Sequence, residues 1–190
     1  MTTTLKALTA VSVLALAGCQ SGNPLDTSSG AEKAAALTGE CRSALNELYA
    51  QAPQAQSIAD DAEGILVFPN VVKAGLGIGG ETGNGCFLRD GEVAGYYNKS
   101  GASFGFQAGA QSRSEVIMFM SEAAVDKLEN RAGLEFGADA SAAVMDMGAG
   151  GTLDTGNIDS EILAFIFGES GLMAAATLEG AKVTELDWRP

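Results

Sequence analysis

The chain of 190 residues contains no histidine. That absence excludes Ser-His-Asp and Cys-His catalysis, histidine zinc sites and imidazole-based pH switching. Basic residues are also scarce, at 11 against 24 acidic ones. Loss of Lys6 with an N-terminal signal leaves ten against twenty-four, a net charge of 10 − 24 = −14. Such a surface repels nucleic acid and anionic lipid at long range, so no nucleic-acid partner is expected. Local basic patches are still allowed, because screening confines each charge to about 10 Å at 0.1 M salt. Long hydrophobic runs are missing too: nothing approaches the about 20 apolar residues that a spanning helix needs.

The N-terminus carries a different kind of signal. Lys6 supplies positive charge, Ala7 to Leu16 form a short apolar run, and Leu16-Ala17-Gly18-Cys19 ends it with small residues before a cysteine. This order of basic, apolar and small-residue regions is that of a secretory signal whose end is a lipobox. Residues 1–18 are expected to be cleaved, with Cys19 carrying acyl chains; several chains on one N-terminus anchor a protein stably where one does not. Residues 19–30, rich in Ser, Gly and Asn, read as a lipidated flexible tether. Residues 31–190 have the length and apolar content of a single domain. Lipidation of Cys19 leaves Cys41 and Cys86 as an even pair in an oxidising compartment, and a disulfide between them is the simple inference. Two buried free thiols are the alternative.

Along the domain, Leu37, Cys41, Ala44, Leu45 and Leu48 recur at helical spacing and predict an amphipathic helix over 31–51, broken by Pro53. A short helical piece is expected over 54–62. Beyond Glu63, short apolar runs punctuated by glycine predict strands: 65–68, 71–78, 86–88, 92–98, 102–111 and 116–120. Asn84-Gly85 and Asp90-Gly91 suit the positive φ angles of tight hairpins, so neighbouring strands should pair antiparallel. Ser121 caps a predicted helix over 122–130. Strand texture returns in 134–147, 162–167, 172–178 and 182–186, with turns at Glu169-Ser170-Gly171 and Glu179-Gly180. The expected class is α+β, with an antiparallel, strongly curved, barrel-like or sandwiched sheet, an N-terminal amphipathic helix and one or two further helices. Gly75, Gly77, Gly79, Gly80, Gly101, Gly105 and Gly109 mark bulges and curvature, and bare one face for close approach of a backbone, a helix or a lipid chain.

Three short patterns invite chemical readings. Gly75-Leu-Gly77-Ile-Gly79-Gly80 matches the dinucleotide fingerprint, but no helix follows it. Gly101-Ala-Ser103-Phe-Gly105 matches a nucleophile elbow, but Ser103 has no histidine base. Asp154, Asn157, Asp159 and Glu161 share a loop without the spacing of a calcium hand. Neither catalytic residues, metal nor cofactor is therefore expected. Lys73, Arg89, Lys99 and Arg113, in or beside the glycine-rich strands, are the cations able to meet phosphate head groups; Lys73, Lys99 and Arg113 are the candidate lipid contacts.

Four ordered blocks, at 62–85, 95–111, 138–155 and 167–186, resemble the SYLF domain family of lipid-binding eukaryotic proteins and bacterial lipoproteins. The resemblance implies lipid binding without established enzymatic activity, and singles out Lys73 in Val71-Val72-Lys73-Ala74-Gly75 as a head-group contact. Eukaryotic members have phosphoinositides and actin as partners and use a basic amphipathic helix. Here the helix over 31–51 mixes Glu32, Lys33, Glu40, Arg42 and Glu47 and has no basic face, which argues against phosphoinositide binding; export argues against actin. Gln20 after the lipidated cysteine resembles outer-membrane lipoproteins. The expected function is a lipid-binding, non-enzymatic lipoprotein of the bacterial envelope, anchored in the outer membrane and facing the periplasm and binding phospholipid or another amphipathic ligand. The alternative is a structural lipoprotein with a protein partner in the envelope.

Overall fold

The computed structural model describes residues 29–130, 133–145, 160–168, 171–172 and 178–188, with backbone alone for 75–78, 103–110 and 171–172. Cys19 and the tether up to residue 28 lie outside them.

Helix α1, Gly30–Gln51, opens with a capping box. The Glu32 amide donates to Ser29 Oγ at 3.3 Å, and the Ser29 amide donates to Glu32 Oε2 at 2.8 Å, so two otherwise orphaned donors are satisfied. The helix ends at Ala52, where Pro53 disfavours a further helical residue before it. Pro53 then starts α2, Gln54–Asp60. The buried residues of α1 are Ala34, Leu37, Cys41, Ala44 and Leu48. Spaced alternately by three and four, they form one stripe that packs on the sheet.

Strands β1, Gly64–Arg89, and β2, Glu92–Phe119, form one long hairpin. Asp90 and Gly91, with φ of 51° and 77°, make its turn, as the sequence suggests. Asn84-Gly85 does not turn. It pairs with Tyr97 and Asn98 within the ladder, so the strands expected at 71–78 and 86–88 are parts of one continuous strand. The reason is tertiary. A Cβ on Gly85 would stand 2.4 Å from the Val67 carbonyl oxygen, and one on Gly83 would stand 2.7 Å from that of Asn70. These glycines let the second half of β1 lie against its own first half.

The hairpin is therefore folded over on itself. Lys99 and Glu115 are sixteen residues apart on β2, about 50 Å in a straight strand, yet their side chains are hydrogen-bonded. Register shifts at Phe68/Val71 and Gly75/Gly77 supply bends, the first at Pro69, which cannot donate to the ladder. The first 64–71 of β1 and the last residues of β2 form one half-sheet, extended by β5, Ile162–Gly168, and β4, Ala143–Met145. The other half-sheet is extended by β7, Ala181–Leu186, and β3, Leu134–Glu135. The short β6, Gly171–Leu172, pairs with β5. Helix α3, Glu122–Glu129, is capped by Ser121 as expected.

The described residues thus form an α+β fold with a strongly curled, mostly antiparallel sheet and an N-terminal helix; β4 and β5 pair in parallel. The strand expected over 134–147 is instead two pieces, β3 and β4, separated at Gly137, whose φ is +93°. One core lies beneath α1, joining its stripe to Val67, Val116, Met118 and Phe165. The second lies between the half-sheets and under α3, with Phe87 edge-on to both Tyr97 and Phe119. Strand β5 feeds both, its odd residues the first and its even residues the second, so Ile162 to Phe167 are all buried. Cys41 on α1 is joined to Cys86 on β1 by a disulfide with Cα atoms 6.2 Å apart. It links the helix to the far half of the hairpin.

Candidate functional site

The folding of the hairpin sorts its cations into two environments. Lys99 is completely buried; its Nζ lies 2.5 Å from Glu115 Oε2 and 3.0 Å from Glu81 Oε1. Arg113 closes the same ring, with Nε 2.8 Å from Glu115 Oε1 and Nη2 2.9 Å from Glu81 Oε2. Two cations and two carboxylates leave no net charge, and each carboxylate is held by both cations. Such buried charges are tolerable only when fully paired. Burial alone would push the Glu81 carboxyl up, but Lys99 and Arg113 together outweigh it and hold it below its ordinary value. Burial would lower Arg113, but Glu115 and Glu81 reverse that and raise it.

The ring stitches the two half-sheets together: Glu81 and Lys99 come from one, Arg113 and Glu115 from the other. Lys99 and Arg113 are consequently engaged inside the fold rather than presented to a head group. Arg89, at the hairpin turn, is paired with Glu122 at 2.6 Å and Glu129 at 3.6 Å.

Lys73 has the opposite setting. It is half-buried on β1, opposite Gln111, and no ion pair involves it among the described residues. Its neighbour Val72, 37% exposed, is the one large apolar side chain that is exposed among those described. Ala74 beside them is exposed as well. This shoulder leads into the glycine-rich middle of the hairpin, where Gly75 faces Gly109, Gly77 faces Gly105 and Ile78 faces Phe104 in register. The sequence carries Leu76, Ile78, Phe104 and Phe106 in that stretch. Side chains alternate along a strand, so Val72 and Ala74 share the exposed face and Lys73 leaves from the other; an exposed apolar pair flanking a long-stemmed cation, at the root of a glycine-rich ribbon, is suited to contact a polar–apolar boundary.

The decoy motifs resolve into strands. Gly75 to Gly80 runs within β1 with no helix behind it, and Ser103 stands in the middle of β2, opposite Gly79, not at a strand-to-helix elbow. Asp154, Asn157 and Asp159 lie outside the described residues; Glu161 pairs with Lys127 at 3.0 Å. No group of metal-ligating side chains occurs among the described residues.

Sequence reasoning missed Val72, Glu81 and Glu115. Glu115 did leave a trace, since it opens the apolar run Val116 to Phe119 and a carboxylate entering a buried strand needs a cation. Nothing local marked Glu81.

Comparison with known proteins adds one relationship. Residues 100–187 match the family described as Ysc84: Las17-binding protein actin regulator. No curated protein matches the chain. The matched span runs from β2, just past Lys99, through Arg113 and Glu115 to the end of β7. It also contains the last two of the four sequence blocks and most of the second. Residues 100–187 are thus similar to the Ysc84 family, which agrees with the SYLF resemblance of the sequence blocks.

Proposed function

We propose that this protein is a lipid-anchored, non-enzymatic domain of the bacterial cell envelope that binds lipid at the Val72–Ala74 shoulder and the adjoining glycine-rich ribbon. The observation that carries the reading is the adjacency on β1 of Val72, exposed and apolar, and Lys73, a cation with no ion pair among the described residues. Net acidity disfavours long-range attraction to anionic membranes. The acyl chains at Cys19 therefore add to capture, holding the domain at the surface and raising its effective concentration there. The shoulder then makes a short-range contact in which Val72 and Ala74, on one face of β1, meet the apolar layer while the long Lys73 stem, leaving from the other face, extends to a phosphate. The Leu16-Ala17-Gly18-Cys19 sequence supports export and acylation, and Gln20 supports the outer membrane. Lack of histidine and the mid-strand position of Ser103 support a binding role over catalysis.

A second reading has one observation in its favour: the family description names protein binding, to Las17, and actin regulation. In an exported protein a counterpart would be an envelope protein rather than actin.

Flotation of residues 20–190 on phosphatidylethanolamine/phosphatidylglycerol vesicles separates the readings, because acyl anchoring no longer contributes. Association supports lipid binding by the domain; no association, with one protein recovered by crosslinking in cells, supports the protein-partner reading. Mass spectrometry of the mature N-terminus tests acylation of Cys19 separately.

A further inference from the structure

Asparagine is disfavoured within strands, yet Asn84 on β1 stands directly opposite Asn98 on β2. Next to them on β7 is Thr184, the partner of Asn98 on its other side. One row closer to the glycine-rich ribbon, Thr82 is paired with Ser100, and Ser100 with Lys182. Residues directly opposite one another share a face, so two successive rows present hydroxyl and amide groups on one side of β1, β2 and β7. Thr82, Asn84 and Ser100 are exposed there, and Asn98 and Thr184 partly so. The core takes the other side, where Gly83, Lys99 and Val183 are paired across the strands and buried. A locally unfavourable choice of residue, on the face that the core does not use, points to a role in binding.

The polar groups are set in place. Asn98 Nδ2 donates to Asn84 Oδ1 at 2.8 Å and to the Gly83 carbonyl at 3.2 Å, and lies 3.3 Å from Thr82 Oγ1. The Asn98 oxygen and the Asn84 NH2 group then form an acceptor and a donor side by side, the match for a hydroxyl group, which both donates and accepts. Polar rows recur at about 7 Å along the strands, a repeat that suits a chain of hydroxyl-bearing units better than a single head group. The next row on the same face is Cys86, Tyr96 and Leu186. Helix α1 closes over its first two members, through the Cys41–Cys86 disulfide and the Thr38 hydroxyl 2.9 Å from that of Tyr96. Leu186 stays partly exposed and leads to Trp188, whose ring is 6.2 Å from that of Tyr96 at an interplanar angle of 46°. Tyr96, Leu186 and Trp188 belong to the lining of an open cavity of about 370 Å³, near the lower end for small-molecule sites and roomy enough for one sugar ring. The C–H face of such a ring is apolar and weakly positive, and packs on the negative face of an indole. From Lys182 to Trp188 the surface runs about 20 Å along the chain direction. We infer that this face binds a neutral glycan chain, with one ring against Trp188 and the following ones along Thr184, Asn98 and Asn84. Lipid contact at the Val72–Ala74 shoulder, elsewhere on the hairpin, is not needed for it.

The purified mature protein, held in phosphatidylethanolamine/phosphatidylglycerol vesicles, is titrated calorimetrically with chitotetraose, with maltotetraose and with a polyethylene glycol of matched length, which lacks hydroxyls along its chain. The expected result is saturable binding of at least one tetrasaccharide and none of the polyether. Asn98→Val puts a better strand former on the exposed face, so it should fold as well as the parent and yet weaken tetrasaccharide binding about fivefold. Trp188→Leu should weaken it to a similar degree. Lys73→Glu should leave it unchanged while impairing flotation of residues 20–190, so failure here and failure of the lipid contact are distinguishable. Saturable binding of neither tetrasaccharide, equal binding of the polyether, or unchanged affinity in Asn98→Val would overturn the inference.

Discussion

Lys73 and Lys99 sit on the two strands of one hairpin, in similar glycine- and serine-rich surroundings, and the fold uses them in opposite ways. Lys99 is enclosed with Arg113, Glu81 and Glu115 in a neutral ring, whereas Lys73, beside the exposed Val72, makes no ion pair among the described residues. Local sequence does not distinguish them. The difference comes from the fold-back of the hairpin, which carries two carboxylates to Lys99 and, among the described residues, none to Lys73. The first region holds the curl together, and the second is left available for contact.

The sharpest way to break the comparison is to remove one charge from each region. Lys99→Met leaves two buried carboxylates with a single cation and should cost about 3–5 kcal/mol in urea unfolding. Lys73→Met should fall within about 0.5 kcal/mol of the parent. Similar values for the two would show that the ring does not stitch the half-sheets. Replacing both Cys41 and Cys86 by alanine should come next, at about 4 kcal/mol for cysteines separated by 45 residues, read from the same denaturation curves. Gly85→Ala should cost about 1–3 kcal/mol, because its Cβ would strike the Val67 carbonyl and the Phe68 ring. Gly91→Ala meets open space but keeps a positive φ, and about 1 kcal/mol is expected there.

Titration probes the interior in both directions. The Glu81 carboxyl is held below its ordinary value of 4.5, so its contribution is present above that pH and is lost as pH falls through the lower folded value. Acid unfolding of the parent should therefore be steeper than that of Glu81→Gln, a variant already destabilised at neutral pH. Tyr97 moves the other way. Burial first, then Glu185 and Glu129, push its phenol up to about 12 from 10.0. The fold keeps it neutral, so this contribution is full below pH 10.0 and is lost as pH rises through about 12. Tyr97→Phe should flatten the alkaline limb of a stability–pH curve.

The legible parts of the fold were those set by neighbours in the chain. The stripe from Leu37 to Leu48, the turn at Asp90-Gly91 and the cap at Ser121 each depend on residues within one or two turns of structure. Asn84-Gly85 was misread as a turn because it has the same chemistry as Asp90-Gly91. Only the close approach of Val67 and Phe68 shows that Gly85 is there for lack of a side chain, not for a positive φ. At the candidate site Lys73 was legible through the block it occupies, but Val72 was not, since nothing in the sequence says which residue of an apolar strand stays uncovered. Lys99 and Arg113 looked available because their partners lie far along the chain: Glu81 is 32 residues from Arg113, and Glu115 is 16 from Lys99.

The smallest expected effect on stability is also the largest expected effect on binding. Val72→Asp/Lys73→Glu changes only the shoulder, leaving the ion ring, the disulfide and both cores in place. Flotation of residues 20–190 on phosphatidylethanolamine/phosphatidylglycerol vesicles, parent against this double variant, with unfolding curves taken in parallel, tests the central claim most directly. The parent should float and the double variant should remain with the unbound protein at matched stability. Equal flotation of the two, or no flotation of the parent, would contradict it.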